Sequence, residues 1–405
     1  MKKNITYWAL YDFANSLVLM AFLFYFSQWL VIDQGHPVWW YNSALIVSSA
    51  LFILTAPILS KRIDMTGRKI AGLRMWTVLS FIAFILVSLI ATLSDSLDMF
   101  ATILYTLAMY AYLVCFLYFT PMLNDLSTRE NRSYISGIGQ GANSFGQVIG
   151  LIVTLPFAIG VITLFGDPGR AQALLPATLL FGLFSLPMFF LYKEKLSTDT
   201  ASLENTSTSL FALFKKVFSY KPLAFLLLAY FLFSDAMLTF ANNFPLYLET
   251  IHGVSDTVKS VLTMSILGLA AIGAVIFGKI ASKKGELKTL KGILIGCCII
   301  FPTVAFIPSF NLLVPVFLLA GILFGPIWAI SRSLVGQLAP KGSVASSYSY
   351  YVVAERFATF IGPAIWSIAL IVMGEGARGY QTAFLAMTGI LILSLFALNR
   401  IKVER

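Results

Sequence analysis

The sequence predicts an all-α integral membrane protein in two six-helix halves, on three observations. Of the 405 residues, 59% are hydrophobic and 11% charged, with a mean hydropathy of +0.86; a soluble domain carries about 25% charged residues. The apolar runs are about 20 residues long, the length a helix needs to cross hydrocarbon, whereas barrel strands alternate over roughly 10. A polar stretch rich in Ser and Thr, Lys193 to Lys221, interrupts them midway.

Twelve spans are read, over 8–32, 40–60, 70–92, 97–121, 134–164, 171–192, 222–249, 256–281, 290–309, 311–333, 346–373 and 379–399. The expected organisation is a first bundle over 1–192, a cytoplasmic linker over 193–221 and a second bundle over 222–405. Within the linker, Leu210-Phe211-Ala212-Leu213-Phe214-Lys215-Lys216-Val217-Phe218 is amphipathic and suits the inner interface. The first apolar stretch is too long for a cleavable leader.

An even number of spans puts both termini on one side, and basic residues choose the cytoplasm. Of 28 Lys and Arg, only Arg170, Lys259 and Arg378 fall near the outer face, with Arg356 inside a span. The net charge of +10 is therefore a topology signal rather than a nucleic-acid patch. Tyr7-Trp8 and Trp39-Trp40-Tyr41 read as interfacial anchors.

Enzyme chemistry finds little to stand on. Cys115, Cys297 and Cys298 lie in apolar segments and read as buried thiols. His36 and His252 fall in outer loops, which leaves the bilayer without a Ser-His or His-metal set. The chain has no Gly-rich loop ending in Gly-Lys-Ser/Thr, so ATP is not expected to drive it directly, and no cofactor is implied.

The intramembrane polar residues are the candidate machinery, because each is costly in hydrocarbon unless paired, neutralised or wet. Asp12 opens the polar face of span 1 and is followed by Asn15 and Ser16 at helical spacing. Asp235 is its counterpart in span 7, about thirteen residues in, with Thr239 and Asn242 on the same wall. Glu355 and Arg356 charge span 11, where Tyr348 and Tyr351 share the face of Glu355. Asp12, Asp235 and Glu355 are the expected proton carriers, since an apolar cavity favours the neutral acid. Arg356 is the expected holder of an anionic group. Asn15, Asn143, Gln147 and Asn242 are expected to line the substrate cavity. The bland alternative for each is a structural cap, an ion pair or polar glue between helices. Gly146 and Gly150 have the spacing for close helix approach.

Two loops echo each other. Ser60-Lys61-Arg62-Ile63-Asp64-Met65-Thr66-Gly67-Arg68-Lys69, between spans 2 and 3, matches Gly278-Lys279-Ile280-Ala281-Ser282-Lys283-Lys284-Gly285 in the second half at an offset of 218 residues, Ser60 standing for Gly278 and Asp64 for Ser282. The first resembles the signature loop of the major facilitator superfamily. The resemblance implies that Asp64, Gly67 and Arg68 latch the cytoplasmic face, the Gly allowing a tight turn. It also implies the major facilitator fold, twelve transmembrane helices in two bundles around a central site.

Three further blocks resemble the vacuole-effluxer-like family within that superfamily. They are Tyr11-Asp12-Phe13-Ala14-Asn15-Ser16, Ser133-Tyr134-Ile135-Ser136-Gly137-Ile138-Gly139, and Ala329-Ile330-Ser331-Arg332-Ser333 with Ile361-Gly362-Pro363. Ser331-Arg332-Ser333 is read as a structural anchor, not a nucleophile. The resemblance implies a secondary transporter, with amino-acid efflux from vacuoles as the family's eukaryotic role and the inner membrane as the seat of a bacterial member. From the polar walls and intramembrane carboxylates above, the expected cargo is a small polar or zwitterionic, amino-acid-like solute moved with protons, by a protein expected to be monomeric. An exporter of amphiphilic drugs or siderophores, and a receptor or lipid-handling protein on the same fold, stay open as alternatives.

Overall fold

A computed structural model of the chain describes residues 2–36, 38–94, 96–194, 219–254, 256–340, 343–357, 361–374 and 376–401. Among these residues the structure is made of helices joined by turns and loops, with no strand, and eleven of these described helices are long and apolar enough to cross a membrane. The eleventh expected span, 346–373, is described as two shorter helices on either side of 358–360. The amphipathic stretch 210–218 lies outside the described residues.

Two compact units divide the chain. The first comprises Met1–Leu126 with Ala142–Leu203, and the second Ser127–Gly141 with Glu204–Arg405. In the first unit, α1 (Lys2–Ala21) runs on through π-helical turns at Phe22–Phe26 and Trp29–Asp33. It is followed by α2 (Val38–Thr66), α3 (Ile70–Leu93), α4 (Asp98–Phe119), the short α5 (Met122–Leu126), α6 (Arg132–Ala158) and α7 (Leu174–Phe190). Helix α1 packs on α7, and α4 carries α2 and α3. The π turns widen the helix where rings crowd it: Phe22 meets Phe84 at 4.4 Å and Phe26 meets Tyr105 at 4.3 Å between centroids.

The second unit holds α8 (Lys221–His252), α9 (Asp256–Lys284), α10 (Glu286–Phe306), α11 (Phe310–Leu338), α12 (Val344–Phe357), α13 (Ile361–Met373) and α14 (Ala377–Asn399). Helix α9 packs along α11, while α14 gathers α8, α10 and α13. The α9–α11 seam is backbone against backbone. A Cβ on Gly273 would stand 1.9 Å from the Ile322 carbonyl oxygen, and one on Gly325 would stand 2.1 Å from that of Ala270. Only glycine fits such an approach, and the small residues there let the helices close without side-chain spacers. Helix α6 belongs to both units, its first residues counted with the second and the rest, from Ala142, with the first.

The helix ends carry the polar anchors. His36 stacks on Trp40 with centroids 4.0 Å apart and bonds Asp98, and Arg170 pairs with Asp33. At the end of α8, His252 meets the Tyr247 hydroxyl at 3.1 Å, and burial pushes its ring below the usual histidine range.

Candidate functional site

In the first unit the polar face of α1 is buried. Asp12, Asn15 and Ser16 are all under 2% exposed. Ser16 turns its hydroxyl back to the Asp12 carbonyl at 2.8 Å, a local bond that satisfies the serine without a partner helix. The Asp12 side chain finds its partner on α6: Asn143 donates its amide to Oδ1 at 2.9 Å, and Gln147 donates to Asn143 Oδ1 at 2.9 Å. Three residues expected to belong to the site thus form one relay. Glycine spacing explains why the two helices come so near. A Cβ on Gly146 would stand 2.3 Å from the Phe13 carbonyl oxygen, and one on Gly150 would stand 2.9 Å from that of Leu17. Tyr11, beside Asp12 in sequence, bonds Thr77 on α3 at 2.5 Å.

In the second unit Asp235 is 1% exposed on α8. Its Oδ1, the Ser234 hydroxyl and the Thr239 hydroxyl are buried without a hydrogen-bond partner among the described residues. Each such atom costs about 1–3 kcal/mol. Gly362 makes the room: a Cβ there would stand 2.2 Å from Thr239 Oγ1 and 3.0 Å from Asp235 Cγ. Asn242 is exposed, and its neighbour Asn243 bonds the Thr239 carbonyl at 2.8 Å.

Glu355 is partly buried on α12 and accepts a bond from the Tyr230 hydroxyl on α8. The Tyr230 ring stacks on Tyr351 with centroids 3.9 Å apart. The Tyr351 hydroxyl meets Ser331 Oγ at 3.0 Å, and Ser331 donates to the Ile327 carbonyl at 2.7 Å. Helices α8, α11 and α12 are tied together at the carboxylate. Tyr230 was not singled out from sequence, where it reads as one more aromatic in an apolar run. The side chain of Arg356 lies outside the described residues.

The loop after α2 turns at Gly67, whose φ is 67° and whose N–H bonds the Ile63 carbonyl at 2.8 Å. Asp64 is half-buried and Arg68 exposed. The buried member of the motif is Lys69, 6% exposed, which bonds Asp125 on α5 at 2.6 Å. Glu194 caps α3, accepting the N–H groups of Lys69 at 2.5 Å and Ile70 at 3.0 Å; a carboxylate suits the positive end of a helix. These three residues were not among those expected to latch the loop. Lys69 stood inside the quoted motif, whereas Asp125 and Glu194 look like ordinary loop charges until the fold collects them. Burial and the carboxylates of Asp125 and Glu194 push the nearby Tyr192 hydroxyl above its usual range.

Comparison with known proteins agrees with this architecture. Over 414 aligned residues the chain is 22% identical to the MFS-type transporter YxiO of Bacillus subtilis (strain 168), covering 96% of this chain and 93% of that one. It is 28% identical over 171 residues to autophagy-related protein 22-2 of Neosartorya fischeri, a match covering 38% of this chain and 28% of that protein. Its fold is similar to the crystal structures of a bacterial homologue of the iron transporter ferroportin (TM-score 0.78, 14% identical, 98% and 99% of the two chains) and the human organic anion transporter MFSD10 (TM-score 0.74, 18% identical, 98% and 99%). It is also similar in fold to the E. coli fucose:proton symporter FucP (TM-score 0.76, 14% identical, 100% and 98%). The family model of the Major Facilitator Superfamily matches residues 118–363, more than half of the sequence. With its all-helical membrane architecture, the chain belongs to the major facilitator superfamily of transporters.

Proposed function

We propose that the protein is a proton-coupled secondary transporter of a small polar or zwitterionic, amino-acid-like solute, working by alternating access between a bundle over 1–192 and a bundle over 222–405. The observation that carries the reading is the polar patch at Asp235, whose carboxyl the Gly362 N–H satisfies only in part. A buried carboxyl oxygen with no donor among the described residues, flanked by the Ser234 and Thr239 hydroxyls, which likewise have no partner among them, is an arrangement that a proton, water or solute completes. Asp12 is the counterpart in the first span of the first half, held by Asn143 and Gln147. Glu355, with Tyr230 as its donor, is the third proton-carrying group.

In this reading Asn15, Asn143, Gln147 and Asn242 present amides to the solute, and Arg356 takes its carboxylate. Asp64, Gly67 and Arg68 act with the Lys69–Asp125 pair as the latch on the cytoplasmic side, where both termini lie. The resemblance of the span 1, span 5 and span 10–11 blocks to the vacuole-effluxer-like family supports the amino-acid class, and the relationship to a Bacillus protein supports the bacterial inner membrane.

The test is thermal stability of the purified protein against amino acids, dipeptides, nucleosides and amphiphilic drugs at two pH values, since a ligand that binds the folded state raises its apparent stability by mass action. A shift with amino acids that disappears in Asp235→Asn supports the reading. Shifts confined to amphiphilic compounds replace it with an exporter of such compounds.

A further inference from the structure

The triplet Ser331-Arg332-Ser333 near the end of α11 is fully used. All three residues are under 8% exposed, and each side chain engages a different partner. Ser331 meets Tyr351 at 3.0 Å. Arg332 donates from Nε to Ser136 Oγ at 3.1 Å and from Nη2 to the Ser136 carbonyl at 3.0 Å. Ser333 donates to Oε1 of Glu286, and Ser133 donates to the same oxygen at 2.6 Å. The first turns of α6 are thereby seated on α10 and α11. Their contact with α9 is equally close: Ser282 Oγ accepts the Tyr134 N–H at 2.9 Å, and a Cβ on Gly137 would stand 2.3 Å from the Ala274 carbonyl oxygen.

Glu286 is the odd member of this seat. It is 5% exposed, both serine protons go to Oε1, and Oε2 is buried with no hydrogen-bond partner among the described residues. A cleft of about 700 Å³ leads to it, lined among others by Arg129, Lys284, Lys288 and Lys291. The charged groups around the carboxyl and its cleft are Arg129 and Glu130 ahead of α6, Arg132 on α6, Lys284 on α9, and Lys288 and Lys291 on α10; Arg332 on α11 is turned to Ser136. Among the described residues none of these cations is placed within salt-bridge distance of it.

We propose that Glu286 is a proton-binding site, reached through this cleft, whose proton keeps the N-terminal turns of α6 seated. Proton on Oε2, the group is a neutral acid whose carbonyl Oε1 accepts from Ser133 and Ser333. Without the proton, Oε2 becomes a buried charge lacking a donor, which is the costlier state. The structure relieves that cost by letting the turns lift and water or the cleft cations reach Oε2. The same helix carries Asn143, the donor to Asp12, so a change of seat at one end of α6 bears on the first carboxylate. That last step rests on the proton-coupled reading above; the seat itself does not.

The test is hydrogen exchange of the peptide covering 133–141 in the full chain, at pH 4.5, near the ordinary glutamate value, and at pH 8, corrected for the intrinsic rate. Wild type is expected to lose protection at pH 8, as local opening becomes easier once the proton is gone. Glu286→Gln, which keeps the acceptor and cannot ionise, is expected to stay protected at both pH values. The double variant Ser133→Ala/Ser333→Ala is expected to be unprotected at both. A wild type without a pH response, a Glu286→Gln variant with the wild-type response, or a serine double variant protected like wild type overturns the proposal. If Glu286→Gln does not fold, wild type and the serine variant decide. The readout uses no solute, so its failure is distinct from failure of the transport reading, which the solute panel tests.

Discussion

Asn143 donates its amide to the Asp12 carboxylate at 2.9 Å, which joins α6 to the buried polar face of α1. Gln147 continues the chain one turn on, so Asn143 is held in the orientation that serves the aspartate. Removing the donor takes the Asn143 bond away from the buried Asp12 Oδ1. Asn143→Ala is expected to cost about 1–3 kcal/mol of stability. Asp12→Asn and Asn143→Ala together should be non-additive, with a coupling of at least about 0.5 kcal/mol in a double-mutant cycle. Additive effects in thermal or denaturant unfolding would detach the pair.

Close backbone approach makes a second prediction. Gly146→Ala pushes a methyl to 2.3 Å from the Phe13 carbonyl oxygen, where backbone and not a flexible side chain must yield. A loss of about 1–3 kcal/mol is expected from the overpacking. Gly389→Ala on α14, where a Cβ meets nothing within 4 Å, is the matched control; it should be neutral or gain up to about 1 kcal/mol from helix propensity. Melting temperatures of the two variants side by side check this.

At the loop after α2 the structure separates two basic neighbours. Lys69→Met strands Asp125 and is expected to cost about 3 kcal/mol, the usual penalty for breaking a mostly buried pair. Arg68→Ala touches an exposed side chain and should change the unfolding midpoint little. Equal effects of the two would remove Lys69 from its place as the buried anchor.

His252 gives a pH prediction. Its ring sits below the usual histidine range because burial disfavours the cation. Above the ordinary value of about 6.5 the ring is neutral folded and unfolded, and contributes nothing. As pH falls through that value toward the lower folded one, the unfolded chain takes up the proton first and stability declines. His252→Phe should flatten this part of the profile between pH 7 and pH 5, measured by unfolding at fixed temperature.

The fold was legible because membrane helices write themselves in composition: long apolar runs and few charged residues. The glycines of span 5 were legible too, since a four-residue spacing of small residues has one main use in a bilayer. What sequence did not yield were pairings across helices. Tyr230 looked like one more aromatic among many, and only the fold sets its hydroxyl on Glu355. Glu286 follows Gly285 in the second loop echo, at the position Arg68 holds in the first, and was not singled out from sequence. Its burial comes from Ser133 and Ser333, which lie 153 and 47 residues away in the chain. The Ser331-Arg332-Ser333 block read as a structural anchor, but its partners Tyr351, Ser136 and Glu286, on other helices, could not be read from sequence.

The measurement that bears most directly on the central claim is uptake of a mixture of labelled amino acids by proteoliposomes under an imposed pH gradient, wild type against Asp235→Asn. Accumulation in wild type that collapses with a protonophore, and is lost in a folded Asp235→Asn variant, is the predicted result. Uptake indifferent to the gradient, or gradient-driven uptake undiminished in the variant, would contradict it.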